Sequence, residues 1–130
     1  MNSCFLYFKK AILEAFKYSG RSSRGEYWCF TGVIFLFNIF TNVVLSILFN
    51  ELQNNDIIII LAIVYIVISL VLMFPTVSLM TRRLHDINMS GWWQLIMLIP
   101  IAGPLALLIL FLKKGDIGEN RFGVEPNYLI

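Results

Sequence analysis

Three long apolar runs, at 27–49, 57–80 and 92–112, alternate with short polar stretches along this chain. Each holds about 21 to 24 residues, the length a helix needs to cross a hydrocarbon core of about 30 Å. The first run opens with Tyr27 and Trp28, amphipathic aromatics that favour a membrane interface, and only Asn38, Thr41, Asn42 and Ser46 interrupt it. Asn38, Thr41 and Asn42 stand at i, i+3 and i+4, so they share one helical face. Polar groups placed in this way predict hydrogen bonding to a neighbouring helix rather than a translocation path.

The second run is rich in Ile and Val, and Pro75 is expected to kink it one to two turns before its end. The third is broken by Pro100-Ile101-Ala102-Gly103-Pro104. Two forms fit it: one kinked span of roughly 32 Å, or two short arms that dip in and return.

The polar stretches carry their own signals. Residues 2–19 predict an amphipathic helix lying in the membrane interface, with Phe5, Phe8, Ile12, Ala15 and Phe16 near one face and Lys9, Lys10, Glu14 and Lys17 pointing mostly elsewhere. A helix packed on the rest of the chain is the alternative. The first long run starts too late, and is too long, for a cleavable signal peptide, so it is expected to remain as an anchor. Gly20 to Glu26 is a polar hinge in which Ser23 and Glu26 have capping-box spacing. Residues 51–56 form a short acidic turn without Lys or Arg, and 113–130 a polar tail rich in Gly.

Composition narrows the class. At 130 residues the chain has the length of one domain, and 58% apolar with 14% charged residues is more apolar surface than a soluble fold of this size could bury. The fold expected is therefore all-α integral membrane. Its parts are an interfacial helix, two full transmembrane helices and a broken third segment that is a kinked span or a re-entrant hairpin.

The net charge of +2 matters less than its placement. Lys9, Lys10, Lys17, Arg21 and Arg24 precede the first run, Arg82 and Arg83 follow the second, and the acidic turn has none, which predicts a cytoplasmic N-terminus. A re-entrant third segment would place all ten basic residues on that side, a small margin in its favour. Basic residues set beside apolar runs fit an anionic leaflet and not a phosphate-tracking groove, so nucleic acid is not an expected partner. Cys4 and Cys29 lie 25 positions apart near the reducing side, and no disulfide is expected between them.

Residues 82–93, Arg-Arg-Leu-His-Asp-Ile-Asn-Met-Ser-Gly-Trp-Trp, concentrate the polar chemistry in what reads as one loop and its flanks. His85 beside Asp86 invites an acid–base reading. Neighbouring helical side chains diverge by roughly 100°, however, and no nucleophile accompanies the pair. A structural role is expected, with no catalytic residue, metal or cofactor. Arg21, Arg24, Arg82, Arg83 and Arg121 could converge to grip a phosphate, or be satisfied internally by Glu26, Asp86 and Glu119, with Asp86 stapling the loop to Arg21 or Arg24.

Three stretches read together as a known pattern: Gly20-Arg21-x-Ser23-Arg24-x-Glu26-Tyr27-Trp28; Arg82-Arg83-Leu84-His85-Asp86 followed by Ser90-Gly91-Trp92-Trp93; and Asn120-Arg121-Phe122-Gly123 with Pro126. They resemble the bacterial inner-membrane family known as domain of unknown function 805, over about residues 20–126. The central stretch is the specific part. Met89 departs from the pattern, because a basic residue is common there, and this lowers the charge of the polar stretch. The resemblance implies a small bacterial inner-membrane protein and defines no activity.

The expected function is thus a non-enzymatic membrane interaction or scaffold module, with Arg21, Arg24, Glu26, Arg82, Arg83, His85, Asp86, Ser90, Asn120 and Arg121 as its polar cluster. Tyr27, Trp28, Trp92 and Trp93 are the expected interface anchors. The alternative is an oligomeric transporter or a protein that binds anions or lipid headgroups. The expected partners are the bilayer, anionic headgroups, and a second copy or another membrane protein. No Asp, Glu, Lys or Arg lies deep in a run to carry an ion, and three short spans enclose a pore only as an oligomer.

Overall fold

The computed structural model describes residues 3–51 and 55–126. Asn2, residues 52–54 of the expected acidic turn and the last four residues of the tail lie outside them. The described residues form four α-helices and one 3-10 helix: α1 (Ser3–Leu13), α2 (Arg24–Glu51), α3 (Asn55–Asp86), the 3-10 helix Gly91–Leu98, and α4 (Ala102–Leu112).

Two of these are long and apolar enough to cross a membrane. The 32 residues of α3 extend roughly 48 Å, well past a hydrocarbon core of about 30 Å. Its apolar stretch, like that of α2, is not buried within the chain. Such a surface is unfavourable in water and favourable in lipid.

The 82–86 stretch is not a loop. It forms the last turns of α3, where Arg83 and His85 suit the negative end of the helix dipole. Only then does the chain turn. Asn88 adopts φ 58°, its N–H donates to the His85 carbonyl (3.1 Å), and the Met89 N–H donates to that of Leu84 (3.0 Å). This is a Schellman stop in which Asn serves because it tolerates the left-handed conformation. Met89 then packs against the core that contains Leu84. α3 also continues through Pro75, where the Thr76 hydroxyl donates to the Leu72 carbonyl at 2.7 Å.

The packed core lies at one end of the molecule. Ala11 of α1, Tyr27 and Phe30 of α2, Leu79, Met80 and Leu84 of α3, and Leu107 and Phe111 of α4 form it. Tyr27, expected as an interface anchor, is buried there with its ring tilted against that of Phe111, centroids 4.4 Å apart, whereas Trp92 and Trp93 are 77% and 52% exposed. α1 rests on α2 through Tyr7, Phe8 and Ala11 and leaves Phe5 and Leu13 exposed, as is Phe16 in the turn that follows. That packing bridges Cys4 to Cys29, with their Cα atoms 5.6 Å apart, contrary to expectation. Sequence separation says nothing about proximity once α1 folds back on α2. Closing a loop of this size is worth about 3 kcal/mol, so reduction is expected to lower the unfolding midpoint, read by thermal unfolding with and without a reductant.

Farther along the helices, Asn38 and Asn42 do bond a neighbour. Tyr65 of α3 donates its hydroxyl proton to Asn38 Oδ1 (2.6 Å) and receives a bond from Asn42 Nδ2 (3.3 Å). Thr41 instead returns its hydroxyl to the Phe37 carbonyl. Tyr65→Phe should weaken the α2–α3 pairing by about 0.6 to 1.7 kcal/mol, measured by denaturant titration in mixed micelles.

The third apolar segment turns back on itself. Ile101 sits at φ 64°, ψ −59°, and the Ala102 N–H donates to the Pro100 carbonyl at 2.7 Å, a γ-turn of the rarer hand. Beyond it, the 11 residues of α4 reach only roughly 16 Å. A Cβ on Gly103 would meet the Ile96 carbonyl, so glycine lets the two arms touch. Both ends of the segment meet the polar end of α3. Gly91 abuts Thr81, and the carbonyls of Phe111 and Lys113 accept from Arg83 Nη2.

Candidate functional site: a buried arginine–carboxylate cluster

Where these elements meet, charged side chains are buried instead of solvated. Arg21, Arg83 and Asp86 make the first knot. Arg21 is placed by the hinge and Asp86 by the last turn of α3, and the Asp86 carboxylate bridges the two guanidiniums. Its Oδ1 accepts from Arg21 Nε at 3.0 Å and its Oδ2 from Arg83 Nη1. Both arginine side chains are 0% exposed. Arg21 Nη1 donates to the Gly118 (2.5 Å) and Gly123 (3.3 Å) carbonyls, and its Nη2 to that of Asp116. The Asp116 N–H in turn donates to the Asp86 carbonyl at 2.8 Å. A Cβ on Gly115 would collide with the Asp86 carboxylate, so the tail approaches closely only through glycine. The knot therefore fastens hinge, α3 and tail together.

The second knot fastens α1. Glu26 accepts from Lys10 Nζ at 2.8 Å and pairs with Arg82 Nη1 at 3.4 Å, and Arg82 Nη1 also donates to Glu14. Lys17 Nζ closes on the other Glu14 oxygen at 2.9 Å. Lys10 and Glu14 thus face the cluster, not the outer side of the helix. The Ser78 hydroxyl donates to the Lys17 carbonyl (2.6 Å), and the Ser22 N–H donates to the Arg82 carbonyl (3.1 Å). Ser23 Oγ accepts from the Glu26 N–H at 3.2 Å, half of a capping box, while the Glu26 carboxylate serves the ion pairs.

Burial raises the Glu14 carboxyl, but the Lys17 hydrogen bond and the Arg82, Lys17 and Lys10 charges outweigh it and hold the group below the ordinary glutamate value. Its contribution is whole above about pH 4.3 and falls away as the pH drops through the lowered value. Acidification below about pH 4 should loosen α1, and Glu14→Gln should flatten that part of the profile. Limited proteolysis near Lys17 across a pH series reads this out.

His85 does not meet Asp86. Its Nδ1 lies 3.1 Å from the Gly20 carbonyl and so carries the proton, and its ring stacks on Phe122 at 3.9 Å with 3° between planes. The 120–123 turn holds this stack. Asn120 Nδ2 donates to the His85 carbonyl (2.9 Å), Asn120 Oδ1 accepts from the Phe122 N–H (2.9 Å), and Arg121 lies over the other ring and donates to the Asn88 carbonyl at 2.8 Å.

Of the ten residues expected in the cluster, eight meet at this end. The other two stand apart: Arg24 is exposed with one long bond to the Leu112 carbonyl (3.5 Å), and Ser90 caps the 3-10 helix by accepting from the Trp92 N–H. Glu119, expected as an arginine partner, takes no part in these pairs. Lys10, Glu14, Gly115 and Phe122 join the cluster without being among those ten. For Glu14 the signal was there: it is the one acid of the N-terminal arm, three residues before Lys17. Among the described residues no group of three or more His, Cys, Asp or Glu side chains is placed to hold a metal. Chemically, the arrangement grips carboxylates and carbonyls with guanidinium forks and locks three segments onto α3.

The chain is similar to known proteins over most of its length. Inner membrane protein YhaI of Escherichia coli is 37% identical over 111 residues, covering 85% of this chain and 86% of its own length. Inner membrane protein YhaH of the same bacterium is 34% identical over 120 residues, covering 92% and 95%. No solved structure matches. The family described as "Protein of unknown function (DUF805)" matches residues 15–124, which include both knots except Lys10 and Glu14. The chain belongs to the DUF805 family of inner-membrane proteins.

Proposed function

We propose that this protein is a non-enzymatic interaction or scaffold module of the inner membrane, in which a cytoplasmic polar cap holds two transmembrane helices and a re-entrant hairpin in fixed relation. The observation that carries this reading is the closure of the cap: Asp86 joins Arg21 and Arg83, and Glu26 joins Lys10 and Arg82, all buried except Lys10. Charges consumed in this way specify a geometry and are not positioned to turn over a substrate. What the cap presents to the bilayer is the unburied apolar surface of α2 and α3.

Photo-crosslinkers placed at Phe40 and Val64 in native membranes test the reading. Discrete protein adducts support it, and adducts to lipid alone at both positions overturn it. Cysteine labelling at Val124, in a chain with Cys4 and Cys29 replaced by serine, tests the orientation. Labelling only after permeabilisation is expected, and labelling from outside refutes the cytoplasmic cap. One observation favours the second reading, anion binding: a cavity of about 530 Å³ opens beside the second knot.

A further inference from the structure

The cavity beside the second knot is bounded by the end of α1, the hinge, Arg82 and the tail at 123–126. Four cations line it, Lys10, Lys17, Arg21 and Arg82, against two carboxylates, Glu14 and Glu125. Arg82 is the decisive member. Its side chain is 1% exposed, and only Nη1 is engaged, by Glu14 and Glu26. Among the described residues, its Nε and Nη2 have no hydrogen-bond partner. Those two atoms form one edge of the guanidinium, with parallel N–H groups at the spacing that matches two oxygens of a carboxylate or phosphate. Leaving a charged fork buried and unfilled costs more than leaving it in water, so the position favours an oxygen anion that supplies both acceptors.

We infer that this cavity is a phosphoryl-binding site, in which the free edge of Arg82 grips the phosphate while Lys10 and Lys17 neutralise it. The inference rests on the anion-binding reading and goes further by naming the residues and the ligand class. The space suits more than a bare ion, since ligand pockets begin near 300 Å³. Exposed Leu13 and Phe16 neighbour Glu14 and Lys17 of the charged wall in sequence, and Phe16 packs at a tilt against Phe74 of α3 with ring centroids 5.3 Å apart. A polar pocket beside an apolar track suits a phospholipid headgroup with its chains along α3, whereas a soluble phosphate would use the pocket alone.

The test uses the full-length protein in phosphatidylcholine nanodiscs, with and without phosphatidylglycerol. Native mass spectrometry after release into detergent counts the retained lipid. Wild type is expected to retain phosphatidylglycerol over phosphatidylcholine, whose quaternary ammonium Lys10 and Lys17 repel. Lys10→Gln combined with Lys17→Gln, both partly exposed positions, should weaken retention about tenfold, and Arg82→Lys, which keeps the charge and removes the fork, should weaken it similarly. Lys17→Gln alone is the second variant should the double one unfold. Added inorganic phosphate separates the sources. Displacement of the lipid, with a raised unfolding midpoint in phosphatidylcholine discs, assigns the site to soluble phosphate; undisturbed retention assigns it to the headgroup. Equal retention by wild type and every variant overturns this site and leaves anion binding elsewhere standing. No phosphoryl ligand retained by wild type overturns both.

Discussion

Asp86→Ala is expected to unfold the polar cap of this protein. The substitution removes the carboxylate that joins Arg21 and Arg83, whose side chains are both 0% exposed, and breaks both buried ion pairs at once. Breaking a buried pair by deleting one partner costs about 3 to 5 kcal/mol, against roughly 0 to 1 kcal/mol for a surface pair. The loss should spread to the tail, because the carbonyls of Asp116, Gly118 and Gly123 are held by the same Arg21 that Asp86 orients. The expected result is a large fall in the unfolding midpoint in detergent, with new protease cuts between Lys113 and Arg121. Arg24→Ala, which removes an exposed guanidinium with one long bond, is the control and should leave the midpoint nearly unchanged. A midpoint for Asp86→Ala close to that of Arg24→Ala would show that the triad contributes nothing to holding the cap.

Gly103→Val should open the third segment. The first carbon of any side chain at this position would overlap the Ile96 carbonyl and lie 3.1 Å from the Met97 Cα, so backbone and not a flexible side chain must move. Overpacking of this kind costs about 1 to 3 kcal/mol, and more where the neighbour cannot relax. Separation of the two arms would also pull the Phe111 and Lys113 carbonyls from Arg83, which links hairpin geometry to the charged cap. Gly32→Ala, in α2, meets nothing within 4 Å and replaces a poor helix former by a good one, so it should be neutral or slightly stabilising. Thermal unfolding of the two variants side by side measures the contrast; equal midpoints would mean that the arms do not pack as described.

The cap draws on three separated stretches of the chain. Arg21 from the first, Asp86 from the second and the 120–123 turn from the third are 34 to 102 positions apart in sequence, yet one network joins them. Some of that network was legible beforehand. An Arg21–Asp86 staple could be proposed because the hinge and the end of the second run are forced to the same side by the distribution of basic residues. Of the knot around Glu26, the pairing with an arginine was legible too, but the part of Lys10 and Glu14 was not, because they read as positions pointing away from the apolar face of an amphipathic helix. Their inward turn depends on where α1 lands against α2, which no periodicity within α1 encodes. The Cys4–Cys29 bridge depends on the same contact. Tyr65, a lone tyrosine in an apolar run, carries no sign of a partner in its own sequence, whereas Asn38 and Asn42 announce theirs by spacing.

What the sequence alone determined is whatever depends on local, additive physics. Run length and hydropathy identify the two long helices, Ser23 marks where α2 starts, Pro100 to Pro104 mark where the third segment must break, and 58% apolar composition places the chain in lipid. Only the tertiary structure decided that Arg82 to Asp86 continue α3, that the broken segment returns to the same end, and that the arginines there are buried. Those outcomes are set by contacts between distant segments. A charge is stable inside a protein only when a counter-charge reaches it within hydrogen-bonding distance, and for the buried charges among the described residues the counter-charge comes from another segment each time except within the Arg83–Asp86 pair.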